Sequence, residues 1–486
     1  MTGVAQGKHG PLWNRGGVMS LLAAVILATL PAAAIARAVR SADSLAGAPT
    51  AGSYPRELVG VGGIAYFVAG DGNAGAELWR TDGGEHGTRL VRDIRGGPEG
   101  SQPAWLAAVG GVLFFAADDG EHGRELWRSD GSEAGTVLVT DILSGSLGSG
   151  PAQMAAVGDV LFFTAQDLAG GEELWRSDGT AAGTWRVRDI VPGPGGSDPA
   201  WLTGMGGVLF FTAQGMGGYY LWRSDGTEAG TTPLKRLYPS TEGEDMACLL
   251  SFGDWLFFTS HDGQYGDELW RTDGSSAGTG LVADIYPGRG RAIPSGLAAV
   301  GSSLYFAAND GSNGYELWRS DGTEAGTALV KDIYPGPESS FPSFLTDVAG
   351  RLFFVANDGS SGYELWRSDG TAVGTVLVRD IMAGPDSSSS SHLTAVGSTL
   401  FFSADDGALG RELWRSDGAG EGAALVRDIH QGPDGSSPSF LTEANGGLLF
   451  AADDGTSGCE LWASDGTEAG TRLLSDINSA PVAPAP

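Results

Sequence analysis

Apolar residues come in short runs along this chain, and turn residues cut every run. In the stretch 344–381, "FLTDVA" (344–349), "RLFFVAN" (351–357), "YELWRSD" (363–369) and "TVLVRDI" (375–381) read as four strands, separated by "DGSSG" and "GTAVG". Gly and Asp at these breaks are hairpin residues, and the β-branched and aromatic content of the runs favours strand over helix. The alternation is poor, because "LFF" and "LVRDI" are apolar on both sides of the pleat. A small sheet sandwiched between two others buries both of its faces and needs that pattern.

The unit repeats. Its Trp falls at Trp79, Trp127, Trp175, Trp222, Trp270, Trp318, Trp366, Trp414 and Trp462, at intervals of 48 residues with a single 47. Four strands in about 48 residues, copied nine times, predict an all-β fold: a β-propeller of nine four-stranded blades. No interval is long enough for a linker, which favours a single ring over two smaller ones. Each Trp is expected to fill the space between blades as a structural residue. In "ELWRSDGTEAGT" (316–327), Asp321 is expected to accept backbone N–H groups and Gly322 to supply positive φ.

The recurring phrase resembles the bacterial ELWxxDGT-repeat proteins over residues 54–477. That resemblance implies an exported bacterial protein, with no activity attached to the family. The turn is also similar to the Asp-box of sialidase-type propellers. It places Gly directly after Asp and lacks the closing aromatic, so no sialidase residue carries over.

Outside the repeats the chain divides further. Residues 1–36 hold Lys8 and Arg15, then an apolar run and an Ala34-Ile35-Ala36 site. This pattern predicts a signal peptide, with an uncleaved membrane anchor as the alternative. A flexible leader (37–53) and a Pro/Ala-rich tail (478–486) flank the array. The expected location is therefore secreted or cell surface, with a membrane contact only through an uncleaved N-terminal segment. The formal charge of −30 disfavours nucleic acid and anionic lipid and favours solubility. Cys248 and Cys459 lie in distant repeats, so no disulfide is expected.

Comparing the nine copies isolates three acidic columns: a loop Asp (Asp119, Asp310, Asp454), the Glu before Leu-Trp (Glu125, Glu316, Glu460) and an Asp at the end of the last strand (Asp141, Asp332, Asp476). Repeat four lacks all three, with Gly215, Tyr220 and Arg236 in their place. Joint loss admits three explanations. The acids are turn formers that drifted together; or they bridge to the Arg after Trp, such as Arg319; or they hold a candidate Ca²⁺ with loop carbonyls. No other cofactor is indicated.

Repeats four and five also break the pattern with Lys235, Arg236, Tyr238, His261, Tyr265, Arg289 and Arg291. These form a candidate basic island for an anionic or sugar ligand. The alternative is degenerate repeat sequence. Trp105, Trp201, Phe344 and Phe440 share one position after a Pro and are read as blade packing, with sugar stacking as the alternative. No catalytic residues stand out: the six His are scattered, no G-x-S-x-G elbow appears, since the one match to that pattern (274–278) is a copy of the recurring Asp-Gly turn, and the P-loop pattern is absent. The expected function is an exported, non-enzymatic binding or scaffold module for a glycan or protein ligand. An extracellular polysaccharide hydrolase or lyase and a calcium-dependent adhesin are the alternatives.

Overall fold

The computed structural model describes residues 52–237, 248–418 and 422–479. The expected signal peptide, most of the leader, Tyr238 and residues 480–486 of the tail lie outside them.

Nine four-stranded antiparallel sheets form, each in the order first-second-third-fourth. In blade 1 these are β1 (Arg56–Val61), β2 (Ile64–Gly70), β3 (Ala76–Thr81) and β4 (Arg89–Arg92). First strands of successive blades touch all the way round, blade 9 against blade 1 included, so the ring is closed and its axis is lined by first strands. The second strand is the core of each blade. In "IAYFVAG" (Ile64–Gly70) the five central residues are buried, on both faces. That is the expected cost of lying between two neighbours.

In blade 7 the strands are Ser343–Val348, Arg351–Asn357, Tyr363–Ser368 and Val376–Arg379. The last is shorter than the sequence suggests. After Arg379 pairs with Leu365, Asp380 and Ile381 leave the ladder. Ile381 is 6% exposed, and its N–H turns to Glu364 Oε2 at 3.2 Å.

The Trp residues sit between blades. Trp127 packs with Leu113 and Phe115 of its own blade and Tyr66, Leu78, Val91 and Ile94 of the one before. A fourth-strand cation of the preceding blade covers most of these rings: Arg92 over Trp127 at 5.8 Å, Lys331 over Trp366 at 5.5 Å, Arg379 over Trp414 at 5.5 Å, Arg427 over Trp462 at 5.9 Å. The same cations donate to the turn of the next blade, as Lys331 Nζ does to Thr375 O at 2.8 Å. Thr140, Ala283 and Ser475 occupy this position at three seams.

The phrase 316–327 is a hairpin that satisfies itself. Asp321 Oδ1 accepts the N–H of Thr323 (2.8 Å) and its hydroxyl (2.6 Å). Ser320 Oγ accepts the Gly322 N–H at 2.9 Å, and Gly322 has φ +89°. A Cβ on Gly326 would stand 2.1 Å from Asp321 Oδ1, which explains the second Gly.

Closure uses the chain ends. Ser53 is 2% exposed and donates its N–H to Glu460 Oε1 at 2.8 Å, while Tyr54 N–H donates to Cys459 O at 3.0 Å. Asn478 Nδ2 reaches Gly52 O at 3.2 Å. The ring therefore includes Gly52 and Ser53, earlier than the boundary drawn at 54. Leu58, Ala65 and Phe67 pack against Leu449, Leu461 and Ile477 to complete the last seam.

Candidate functional site

The acidic columns have structural work. Every Glu before Leu-Trp in the described blades is fully buried, Glu125, Glu316 and Glu460 among them. Glu316 collects the N–H groups of Ile333 (2.9 Å), Tyr334 (3.4 Å) and Ser340 (2.9 Å) and the Ser340 hydroxyl (2.6 Å). It thereby staples the connection between one blade and the next. Burial pushes these carboxyls up, to about 7 for Glu173, Glu268 and Glu316.

The loop Asp makes a local turn. Asp119 Oδ1 accepts the N–H of Glu121 and His122, both at 2.9 Å, and Asp310 and Asp454 do the same for their own loops. The strand-end Asp caps the same connection that Glu holds, as when Asp332 Oδ2 accepts Gly336 N–H at 3.2 Å. Asp141 and Asp476 occupy that position in blades 2 and 9.

Two separate causes account for the losses in repeat four. Its second and third strands pair up to Gly215–Gly218, leaving only Met216 and Gly217 between them. The shorter loop has no room for the Asp turn. Glu and the strand-end Asp both act on the connection to the next blade, which in repeat four is the divergent stretch around 238–247. The expected Arg bridge is not what the Arg after Trp does. Arg223 donates to Gly274 O at 2.9 Å, and Arg319 lies against Gly370, in each case the turn of the following blade. Among the described residues no three His, Cys, Asp or Glu side chains gather as a metal-holding group. The calcium expectation therefore finds no donor set in these columns: donors of the protein itself fill the Glu carboxylates.

The basic island does not converge. Lys235 lies over Trp270 at 3.8 Å, a seam position. Arg236 donates to Gly217 O, and Arg291 pairs with buried Asp267. Tyr265 N–H joins the turn of Asp262 at 3.1 Å, the His261 carbonyl accepts Ser260 Oγ at 3.2 Å, and Arg289 is exposed. They share a face of the ring without facing one another.

A different constellation surrounds the channel mouth. Each first strand begins on the face that carries the second-to-third loops. There one extra residue is inserted: in blade 7, Ser343 pairs with Val355 but Thr346 with Phe353. This is a β-bulge, and its residue Phe344 has φ +54°. The equivalent residues are Glu57, Trp105, Gln153, Trp201, Cys248, Gly296, Phe344, His392 and Phe440, all with φ between +52° and +68°. Such a backbone is costly for residues other than Gly.

These nine positions vary widely between copies, holding seven residue types. The residue after each is a core residue, as Leu106, Leu345 and Leu441 show. The bulge aromatics belong to no core cluster, and Phe344 and Phe440 are 41% and 40% exposed. Phe344 and Phe440 thus depart from the blade-packing reading, while Trp105 and Trp201 are half-buried.

Neighbouring polar groups are ordered between blades. Gln153 Oε1 accepts Trp201 N–H, and Glu57 Oε2 accepts Leu106 N–H, both at 3.3 Å. Arg411 donates to Ser389 O at 2.7 Å and Ser391 Oγ at 3.0 Å. Burial, with the Arg411 charge, holds the His392 imidazole below its usual range. Burial raises Glu57. It also raises Glu172 and Asp198, with the Asp198 charge adding to the rise at Glu172. Tyr315 stacks on Phe341 with ring centres 5.6 Å apart. Sequence variation between copies was the signal that could have located this mouth.

On the opposite face a shallow cleft at the closure seam is lined by Val61, Gly62, Ile64, Glu443 and Asn445. Cys248 and Cys459 are free thiols, and burial pushes Cys459 up to about 12.

No family model and no curated protein matches the sequence. Among solved structures, the chain is similar to the computationally designed Ika8 protein (16% identity, TM-score 0.41, covering 73% of this chain and 94% of that one). It is also similar to a puromycin hydrolase (16%, 0.37, 72% and 58%) and to a Mycobacterium tuberculosis puromycin-hydrolyzing peptidase (12%, 0.38, 83% and 58%). The chain thus spans 58% of the length of either hydrolytic enzyme. At these scores the likenesses say nothing about this chain's chemistry.

Proposed function

We propose that this chain is an exported, non-enzymatic β-propeller of the ELWxxDGT-repeat kind, serving as a surface-associated binding module with its ligand seat at the channel mouth. One observation carries the reading. Side chains that hold the blades together recur from copy to copy, while the bulge position holds Glu, Trp, Gln, Cys, Gly, Phe and His. A purely mechanical ring has no use for that variety at a strained, partly exposed position.

The test is an array of glycans and peptides probed with the full chain and with a variant carrying Ala at 105, 201, 344 and 440. A ligand bound by the parent and lost by the variant supports the mouth. A ligand retained at full affinity refutes it. Fractionation of the producing cells tests export, and retention in the cytoplasm refutes that part.

One observation favours a second reading, a polysaccharide hydrolase. Glu172 and Asp198 are neighbouring carboxyls near the mouth, both held above their usual range. Shortened products that vanish with Glu172→Gln would support it.

A further inference from the structure

Read around the ring, the bulge residues of blades 2, 3 and 4 are Trp105, Gln153 and Trp201, and those of blades 7, 8 and 9 are Phe344, His392 and Phe440. Each set is a polar planar side chain flanked by two aromatics. Blades 3 and 8 are five steps apart one way and four the other, so the two sets stand nearly opposite across the channel mouth. From this arrangement we infer that the mouth binds a neutral oligosaccharide, gripped at two points by these aromatic-polar-aromatic pincers. The inference rests on the channel mouth being the ligand seat.

The chemistry fits a sugar ring. A pyranose presents C–H groups on its faces and hydroxyls on its rim. Aromatic rings offer an apolar surface to the faces, as they do wherever one side of a group is apolar and the other wet. Gln153 spends its carbonyl on the Trp201 N–H and keeps its amide N–H groups for a hydroxyl. A neutral His392 offers one donor and one acceptor. The pincer aromatics take no part in the core, so they are available without disturbing the blades. The charge of −30 disfavours sulfated or uronate-rich chains and nucleic acid, which leaves a neutral glycan.

The probes are hexamers of β-1,4-glucose, α-1,4-glucose and β-1,4-N-acetylglucosamine, with a sulfated glycan and an aromatic-rich peptide as comparators. Binding to the full chain is read by calorimetry and by Trp fluorescence. The expected result is binding of at least one neutral hexamer, weakened about tenfold or more by Trp105→Ala with Trp201→Ala, and again by Phe344→Ala with Phe440→Ala. Unchanged unfolding temperatures show that the variants are folded, and Met216→Ser, exposed elsewhere, leaves binding as it was. If every neutral hexamer fails, the sugar assignment is overturned. If only the sulfated glycan or the peptide binds, and the mouth variants abolish it, the sugar class is wrong while the mouth reading stands. If a hexamer binds equally well to both double variants, the mouth reading itself falls.

Discussion

Ser53 donates both its backbone N–H and its hydroxyl to Glu460, across 407 positions of sequence. In blade 2 the same acceptor, Glu125, is served by Ser149, 24 residues further on. The chain therefore closes its ring with the same staple that joins its internal blades. The strands themselves are not exchanged, since blades 1 and 9 each form all four of their own.

From this staple follows a graded loss of stability. Ser53→Ala removes one donor and is expected to cost about 1 kcal/mol, whereas Glu460→Ala strands several buried N–H groups and is expected to cost roughly 3 kcal/mol. Denaturant unfolding measures both. Faster hydrogen exchange at the Tyr54 and Gly70 amides would place the opening at the closure seam. Equal effects from the two substitutions would contradict the account.

The buried Glu residues set a pH dependence. Their carboxyls lie above the ordinary 4.5, at about 7 for Glu173, Glu268 and Glu316, so the folded ring holds protons that the unfolded chain releases. Their contribution is complete below 4.5 and is lost as pH rises through about 7. The turn carboxyls run the other way. The hydroxyl and N–H of Thr323 and of Thr371 hold Asp321 and Asp369 low, and their contribution is lost as pH falls below the ordinary 3.8. Thermal unfolding scans should place the highest Tm near about pH 5 and show a decline towards pH 8. A Tm that climbs from pH 5 to pH 8 would rule this out.

Cations at the seams should be measurable one by one. Arg427 lies over Trp462 and donates to Thr471 O at 2.5 Å, so Arg427→Ala is expected to cost about 1–2 kcal/mol. Ala283 fills the equivalent place at the seam of blades 5 and 6, where exchange should show earlier opening than at the Arg427 seam. A double-mutant cycle with Trp462→Phe isolates the ring contribution.

Two kinds of Trp should separate cleanly. Trp127 is 4% exposed and belongs to a seam core, so Trp127→Ala is expected to cost about 3–5 kcal/mol. Trp105 belongs to no core cluster, and Trp105→Ala is expected to change stability by no more than about 0.5 kcal/mol. Calorimetric unfolding of the two variants checks the contrast.

The blade was readable because the repeat repeats. Nine copies of Trp and of Asp-Gly gave period, strand count and turn chemistry, and two-sided apolar runs such as "LFF" gave the packing. The work of the acids was not readable. Glu316 and Ser340 lie 24 residues apart with nothing local to connect them, and only the folded connection brings them together. The mouth was legible only in part. Trp105, Trp201, Phe344 and Phe440 share a visible position after Pro, whereas the other departures at that position, Gln153 and His392 among them, are single residues with no chemistry in common. Their shared backbone, a bulge with positive φ, leaves no mark in composition.

The contact of Asn478 with Gly52 has a geometric corollary. Gly52 and Asn478 lie together, on the face that carries the bulge residues. A tether at either end would therefore start from the face that carries the aromatic opening. Reach along that tether, rather than free diffusion, would then govern what the opening meets.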